Sequence, residues 1–179
     1  MPPERDLHSF LFADLVGFTA LTAARGDEVG AAIALDLQHT SRALAAEVGA
    51  ELVKTMGDAV MVHGHHAGEL VWLGLRLAHA LRLRPSRQLV RVGVHTGPAI
   101  ARENDWYGTT VNLAARLASR ARAGEVLVSE GTARGITATG ALELVDRGVW
   151  RPYGAPAPLH VYLARSTEAR ESELVAVAV

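Results

Sequence analysis

The chain contains no cysteine, which excludes disulfide staples, thiolate metal centres and cysteine nucleophiles. Histidine and carboxylate chemistry remain. It also lacks the uncharged apolar run of about 18 residues that a membrane-spanning helix needs. Its opening, MPPERDLHSF, has neither the basic start nor the apolar stretch of a secretion signal. A soluble cytoplasmic protein with no membrane partner is the expectation. No charge of one sign dominates, because 18 basic and 19 acidic side chains leave a net charge of −1. Nothing therefore argues for nucleic acid, and any phosphate binding has to be local. Lysine itself is nearly missing: the basic side chains are seventeen arginines and one lysine, Lys54. A genome that prefers arginine codons explains the imbalance, and it makes the exception worth following.

What is present suffices for one domain with a real core: 179 residues, 49% hydrophobic and 21% charged, far from the signature of disorder. HSFLFADL, from His8 to Leu15, reads as a buried strand with Asp14 at its C-terminal edge, broken by Gly17. From Asp27 to Val48, apolar residues at helical spacing (Val29, Ile33, Leu37, Leu44, Val48) predict a helix that Asp27 can cap and Gly49 follows. ELVKTMGDAVMV, Glu51 to Val62, reads as a hairpin about Gly57-Asp58, with Lys54 and Asp58 flanking its turn. A second helix runs from Glu69 to Leu83, ended by Pro85, and Leu89 to Gly97 alternates as a half-buried strand. The order βαββαβ predicts an α+β, ferredoxin-like core, an antiparallel sheet with helices on one face. Thr110 to Arg122 (helix), Glu125 to Ser129 (strand) and β-prone segments near 142–145 and 160–163 extend it as a C-terminal αβ subdomain. The domain is expected to occupy residues 7–163 and a tail 164–179, open to disorder.

Asp14 and Asp58 fall at strand ends that this topology makes neighbours. Adjacent carboxylates repel unless a cation lies between them, and Mg²⁺, held by carboxylates and substrate phosphates, is the usual cation. After Asp14 the chain runs Leu15-Val16-Gly17-Phe18-Thr19 into a helix, offering backbone N–H groups where a triphosphate could lie.

These residues carry a resemblance. FADLVGFTAL (Phe12 to Leu21), VKTMGDAVM (Val53 to Met61), RVGVHTG (Arg91 to Gly97) and DWYGTTVNLAARL (Asp105 to Leu117) resemble, in order, the four signature segments of the class III nucleotidyl cyclase catalytic domain. The short DWYG approach is similar to the compact bacterial subgroup. The resemblance implies an adenylyl cyclase: the ribose 3′-oxygen of ATP attacks the α-phosphorus and expels pyrophosphate, giving 3′,5′-cyclic AMP. By position, Asp14, Asp58 and the Leu15 carbonyl match the ligands of two Mg²⁺ or Mn²⁺ ions. Arg91 matches a triphosphate contact, and Gly17, Phe18 and Thr19 match the backbone cradle. Asn112 and Arg116, four apart on one helix face, match the pair that orients the ribose and stabilises the transition state. Lys54 and Asp105 stand at the base-selecting positions. Adenine offers an acceptor at N1 and a donor at N6, so a lysine and an aspartate suit it, with Lys54 as the donor to N1. Ala115 beside them leaves room for a purine. The family's sites lie between subunits of a head-to-tail homodimer, and this chain carries both halves. Many members also place a triphosphate lysine where RPYGAPAPLHVYLA has Tyr153; Arg151, two residues away, is the candidate replacement. Guanylyl cyclase activity is one alternative, and a weakly active or inactive nucleotide-binding dimerisation module is another. Polymerase palms and diguanylate cyclases share the βαββαβ sheet, but the GGD/EEF-type turn of diguanylate cyclases is absent, with Met56-Gly57-Asp58 in its place.

Other residues are read plainly. His63, His65 and His66 read as a solvated loop after the hairpin, with no further histidine or carboxylate closing a metal site. His95 supports its turn, Arg120 and Arg122 form a basic helix face, Trp72 and Trp150 pack, and Trp106 shapes the interface or base pocket.

Overall fold

The computed structural model describes residues 6–136 and 142–167. Seven strands form one sheet in the order β2-β3-β1-β4-β7-β9-β8. Strand β1 (Leu7–Leu15) lies between β3 (Ala59–Gly64) and β4 (Val90–Pro98), antiparallel to both, and β2 (Glu51–Met56) forms a hairpin with β3. This is the expected βαββαβ core. The C-terminal elements continue the same sheet. Strand β7 (Val126–Ser129) runs parallel to β4, and the antiparallel pair β8 (Leu142–Trp150) and β9 (Leu159–Ser166) completes the edge. Because β9 pairs through Ser166, the sheet reaches past residue 163; the rest of the expected tail, from 168, lies outside the described residues.

Alternation along β1 sends its side chains to two separate cores. Leu11, Ala13 and Leu15 join Val60, Val62, Val90, Val92 and Val94 under helices α2 (Asp27–Glu47) and α3 (Ala67–Leu83). Phe10 and Phe12 join Met61 under α4 (Thr109–Arg120), through Val111, Ala114 and Ala118. The two crossover helices share one face as expected, and α4 covers the other. Gly93 makes that close approach possible: a Cβ there would stand 2.6 Å from the Ala114 carbonyl oxygen, so any side chain would push α4 off the sheet. Two short strands, β5 (Ile100–Arg102) and β6 (Asp105–Tyr107), form a hairpin whose turn residues Glu103 and Asn104 both have positive φ.

Helix ends differ slightly from expectation. Short helix α1 (Phe18–Arg25) precedes α2, and Gly26, not Asp27, occupies the cap position of α2. Asp27 and Glu28 sit in the first turn instead, where their charges complement the helix dipole. Arg122 lies beyond α4, and α5 (Glu130–Arg134) is an extra short helix.

Candidate active site

The α4 face of the sheet carries Asp14 and Arg91, while Phe18 and Leu15 pack toward the α2/α3 core on the other face. Asp14 follows Phe10 and Phe12 in the β1 alternation and so points to that side. Arg91 is its direct partner on β4, and the guanidinium Nη2 pairs with Asp14 Oδ2. Its other nitrogen, Nη1, donates to the Ser119 carbonyl at 3.5 Å, tying this end of the site to the C-terminal turn of α4.

Lys54 reaches the same face by an irregularity that simple alternation misses. Leu52 pairs with Val62, yet Lys54 pairs with Met61, so Val53 is an extra residue in β2. A bulge of this kind reverses the side to which the following residues point. Leu52 packs into the α2/α3 core, Val53 packs under α4, and Lys54 follows Met61 onto the α4 side. There its Nζ lies 2.6 Å from Asp105 Oδ2 on β6. The second Asp105 oxygen accepts from the Trp106 backbone N–H at 2.8 Å. The Lys54 hydrogen bond, then that of Trp106, holds the Asp105 carboxyl below the usual aspartate range. The pair remains partly exposed, 38% and 24% at the two side chains, and so is open to a ligand.

Asp58 is brought to β1 through backbone contacts. Gly57 has φ of 66°, which closes a two-residue turn from Met56 to Ala59. The Leu15 N–H donates to the Asp58 carbonyl at 3.0 Å, locking this turn beside the end of β1. Asp14, Asp58 and the Leu15 carbonyl offer oxygen donors only, a set that suits hard divalent cations such as Mg²⁺ and Mn²⁺. At Gly17, φ 69° and ψ 21°, the chain turns sharply into α1, and no side chain caps the helix. The Gly17–Thr19 N–H groups precede the first intrahelical bond, in which Leu21 N–H reaches the Gly17 carbonyl at 3.0 Å. Buried Gln88 fixes this turn: its Nε2 donates to the Val16 carbonyl at 2.6 Å, while Val16 N–H donates to Leu89. Nothing in the sequence pattern marked Gln88, because its importance depends on which carbonyl it meets.

Asn112 and Arg116 lie on α4, exposed and half-buried respectively. Asn112 sits apart from the Asp14 cluster along the helix. Gly97, at the far end of β4, meets Thr110, whereas Arg91 at its beginning meets Ser119. Asn112 is thus seven residues, about 10 Å of helix rise, from the point where α4 meets Arg91. Arg116 instead reaches toward the loop between β8 and β9: a Cβ at Gly154 would stand 3.8 Å from its Nη1. Tyr153, beside that glycine, is 94% exposed, and Arg151 is exposed as well.

The remaining candidates sort by their contacts. His95 is buried on β4, with Nδ1 2.6 Å from Ser129 Oγ, and burial pushes its pKa down to about 4. Ser129 also caps α5, so His95 braces the packing of α5, with no substrate-facing nitrogen implied. Arg120 places its guanidinium 5.1 Å from the centroid of the Trp150 ring, and Arg122, just past the end of α4, lines one pocket with Arg120, Glu125 and Arg147. The solvated-loop reading fails for His63. It is a β3 residue, 6% exposed, and His8 from β1 joins it and His65; only His65 and His66 are exposed. Trp106 stacks on His63 with centroids 4.1 Å apart, a contact that requires the β5–β6 hairpin and was not legible in the sequence.

Comparison with known proteins agrees with the geometry. Residues 2–162 match the family described as the adenylate and guanylate cyclase catalytic domain. An adenylate cyclase of Streptomyces griseus is 40% identical over 69% of this chain and 31% of its own length. One from Streptomyces coelicolor is 38% identical over 72% of this chain and 34% of its own. The chain therefore spans about a third of the length of these curated relatives. The crystal structure of the adenylyl cyclase CyaB from P. aeruginosa shares the fold at a TM-score of 0.80 and 22% identity, covering 92% of this chain and 96% of that one. Among the described residues no helix is long and apolar enough to cross a membrane. With the family match running across nearly the whole length, the chain belongs to the adenylate and guanylate cyclase catalytic domain family.

Proposed function

We propose that this domain is an adenylyl cyclase that converts ATP to 3′,5′-cyclic AMP and pyrophosphate. The observation that carries the reading is the Lys54–Asp105 pair. It presents a fixed donor and acceptor, the combination that adenine N1 and N6 require. The adenylate cyclase relatives support the same reading.

In this reaction the ribose 3′-oxygen forms a bond to the α-phosphorus, the bond from that phosphorus to the pyrophosphate oxygen breaks, and the 3′-hydroxyl loses its proton. Asp14, Asp58 and the Leu15 carbonyl would hold two Mg²⁺ or Mn²⁺ ions. When bound, such ions supply Lewis acidity at the 3′-hydroxyl and charge neutralisation along the triphosphate. The Gly17–Thr19 N–H groups cradle the phosphates at the start of α1. Arg91 exchanges its carboxylate partner for phosphate oxygens, which its planar fork also fits. Asn112 orients the ribose, and Arg116 stabilises charge developing on the α-phosphoryl oxygens. Lys54 donates to adenine N1, while Asp105 accepts from N6.

Asp14 and Asn112 lie toward opposite ends of β4 within one chain. A head-to-tail twofold homodimer sets the Asp14 end of one subunit against the Asn112 end of its partner, making two equivalent sites. Product analysis of the purified protein with ATP and GTP, each with Mg²⁺ and with Mn²⁺, tests the reading. Cyclic AMP from ATP, well above cyclic GMP from GTP, is expected. Preferential cyclic GMP would make it a guanylyl cyclase. Bound nucleotide with no cyclic product would make it a binding module.

A further inference from the structure

His8, His63 and His65 converge from β1, β3 and the loop that follows, away from the oxygen-donor end of the site. One ligand nitrogen from each lies within 4.8 Å of the other two. His8 Nδ1 and His63 Nε2 are 3.1 Å apart, and the three ring centroids are separated by 5.1 to 5.5 Å. Packing does not need three imidazoles gathered here, since a buried histidine carries two polar nitrogens that must be satisfied. We propose that His8, His63 and His65 form a transition-metal site that takes Zn²⁺ and is distinct from the Asp14–Asp58 oxygen set.

The donor chemistry separates the two sites. Imidazole nitrogen suits Zn²⁺, Cu²⁺ and Ni²⁺, whereas Mg²⁺ and Mn²⁺ favour oxygen. Nitrogens at ~2.0–2.1 Å from a tetrahedral Zn²⁺ stand ~3.3 Å from one another. The His8–His63 pair is already at that spacing, and exposed His65 can rotate to complete the triangle, leaving a fourth position for water. Trp106 stacks on His63 at 28° and lies 4.4 Å from the His8 ring, holding both in place.

Calorimetric titration of the untagged full chain with Zn²⁺, in excess Mg²⁺, tests the site. One ion per chain is expected, with quenching of tryptophan fluorescence through Trp106. His65→Ala changes an exposed residue and leaves the fold intact by circular dichroism, yet weakens Zn²⁺ binding at least about tenfold. His8→Gln has the same effect. Absence of saturable Zn²⁺ binding, or binding in both variants as strong as in the parent chain, overturns the proposal.

Discussion

Lys54 Nζ meets Asp105 Oδ2 at 2.6 Å, joining two side chains 51 positions apart in the chain. Their contact depends on a bulge at Val53 that turns Lys54 onto the α4 face. The single lysine among the basic residues is thereby held beside Asp105, where the proposed function sets a slim ammonium, rather than a broad guanidinium fork, against a purine edge.

The double change Lys54→Glu, Asp105→Gly removes both the proposed donor to adenine N1 and the proposed acceptor for N6. The ratio of kcat/KM for ATP to that for GTP is expected to fall at least about tenfold, because a site built to hydrogen-bond one base rejects another by leaving polar groups unpaired. Steady-state kinetics with both nucleotides measure the ratio, and an unchanged value removes Lys54 and Asp105 from base selection.

Gly93→Ala tests the seating of α4. The added methyl would meet the helix backbone at Ala114 and Ala118, and neither can move without shifting the helix that carries Asn112 and Arg116. Overpacking of this kind costs about 1–3 kcal/mol or more. A lower melting temperature and a larger loss in kcat than in nucleotide affinity are expected. A variant as stable as the parent would show that α4 does not press on β4.

Gln88→Ala leaves the Val16 carbonyl without its 2.6 Å donor. An unsatisfied buried acceptor costs about 1–3 kcal/mol, and the turn into Gly17 loosens. Denaturant unfolding should show the stability loss. If Gly17–Thr19 cradles the triphosphate, KM for ATP rises as well; a stability loss with KM unchanged separates the turn from nucleotide binding.

These residues show what the sequence makes visible and what it hides. Alternation and helical spacing reveal the βαββαβ core, and local motifs pick out Asp14, Asp58, Asn112 and Arg116, because each depends on near neighbours. The bulge before Lys54, the Gln88 bond to Val16 and the His8–His63 contact are long-range. Each is decided by strand register, and a one-residue slip reverses the face to which a side chain points. The solvated-loop reading of His63 fails for that reason: β3 extends past Val62 and pairs His63 with Phe10.

His95 gives the fold a pH dependence of predictable sign. Burial lowers its pKa from 6.5 to about 4. Below about 6.5 the unfolded chain takes up a proton that the folded chain refuses until about 4, so stability falls with pH across that window and levels beneath it. Between pH 7 and pH 5 the loss from this group is on the order of 2 kcal/mol. Urea midpoints of the parent and of His95→Gln at both pH values isolate it. The variant should lose that share of the slope, and an equal slope in both proteins excludes His95 as its source.

Subunit complementation addresses the assembly directly. Asp14→Ala removes the proposed cation-holding half and Asn112→Ala the proposed ribose-orienting half, so neither homodimer should turn over. In a mixed dimer with shared sites, one site receives both lesions and the other receives none. If subunits pair at random from equal amounts, half of the dimers are mixed and each has one intact site, giving about a quarter of the parent activity. Co-purification through two different tags isolates the mixed dimer, and its turnover should be about half that of the parent dimer. Well-folded mixed dimers with no recovered activity would mean that Asp14 and Asn112 of the same chain serve one site. Because Asn112 stands about 10 Å of helix rise from the Ser119 carbonyl that Arg91 reaches, α4 would then have to slide or rotate toward β1 during catalysis.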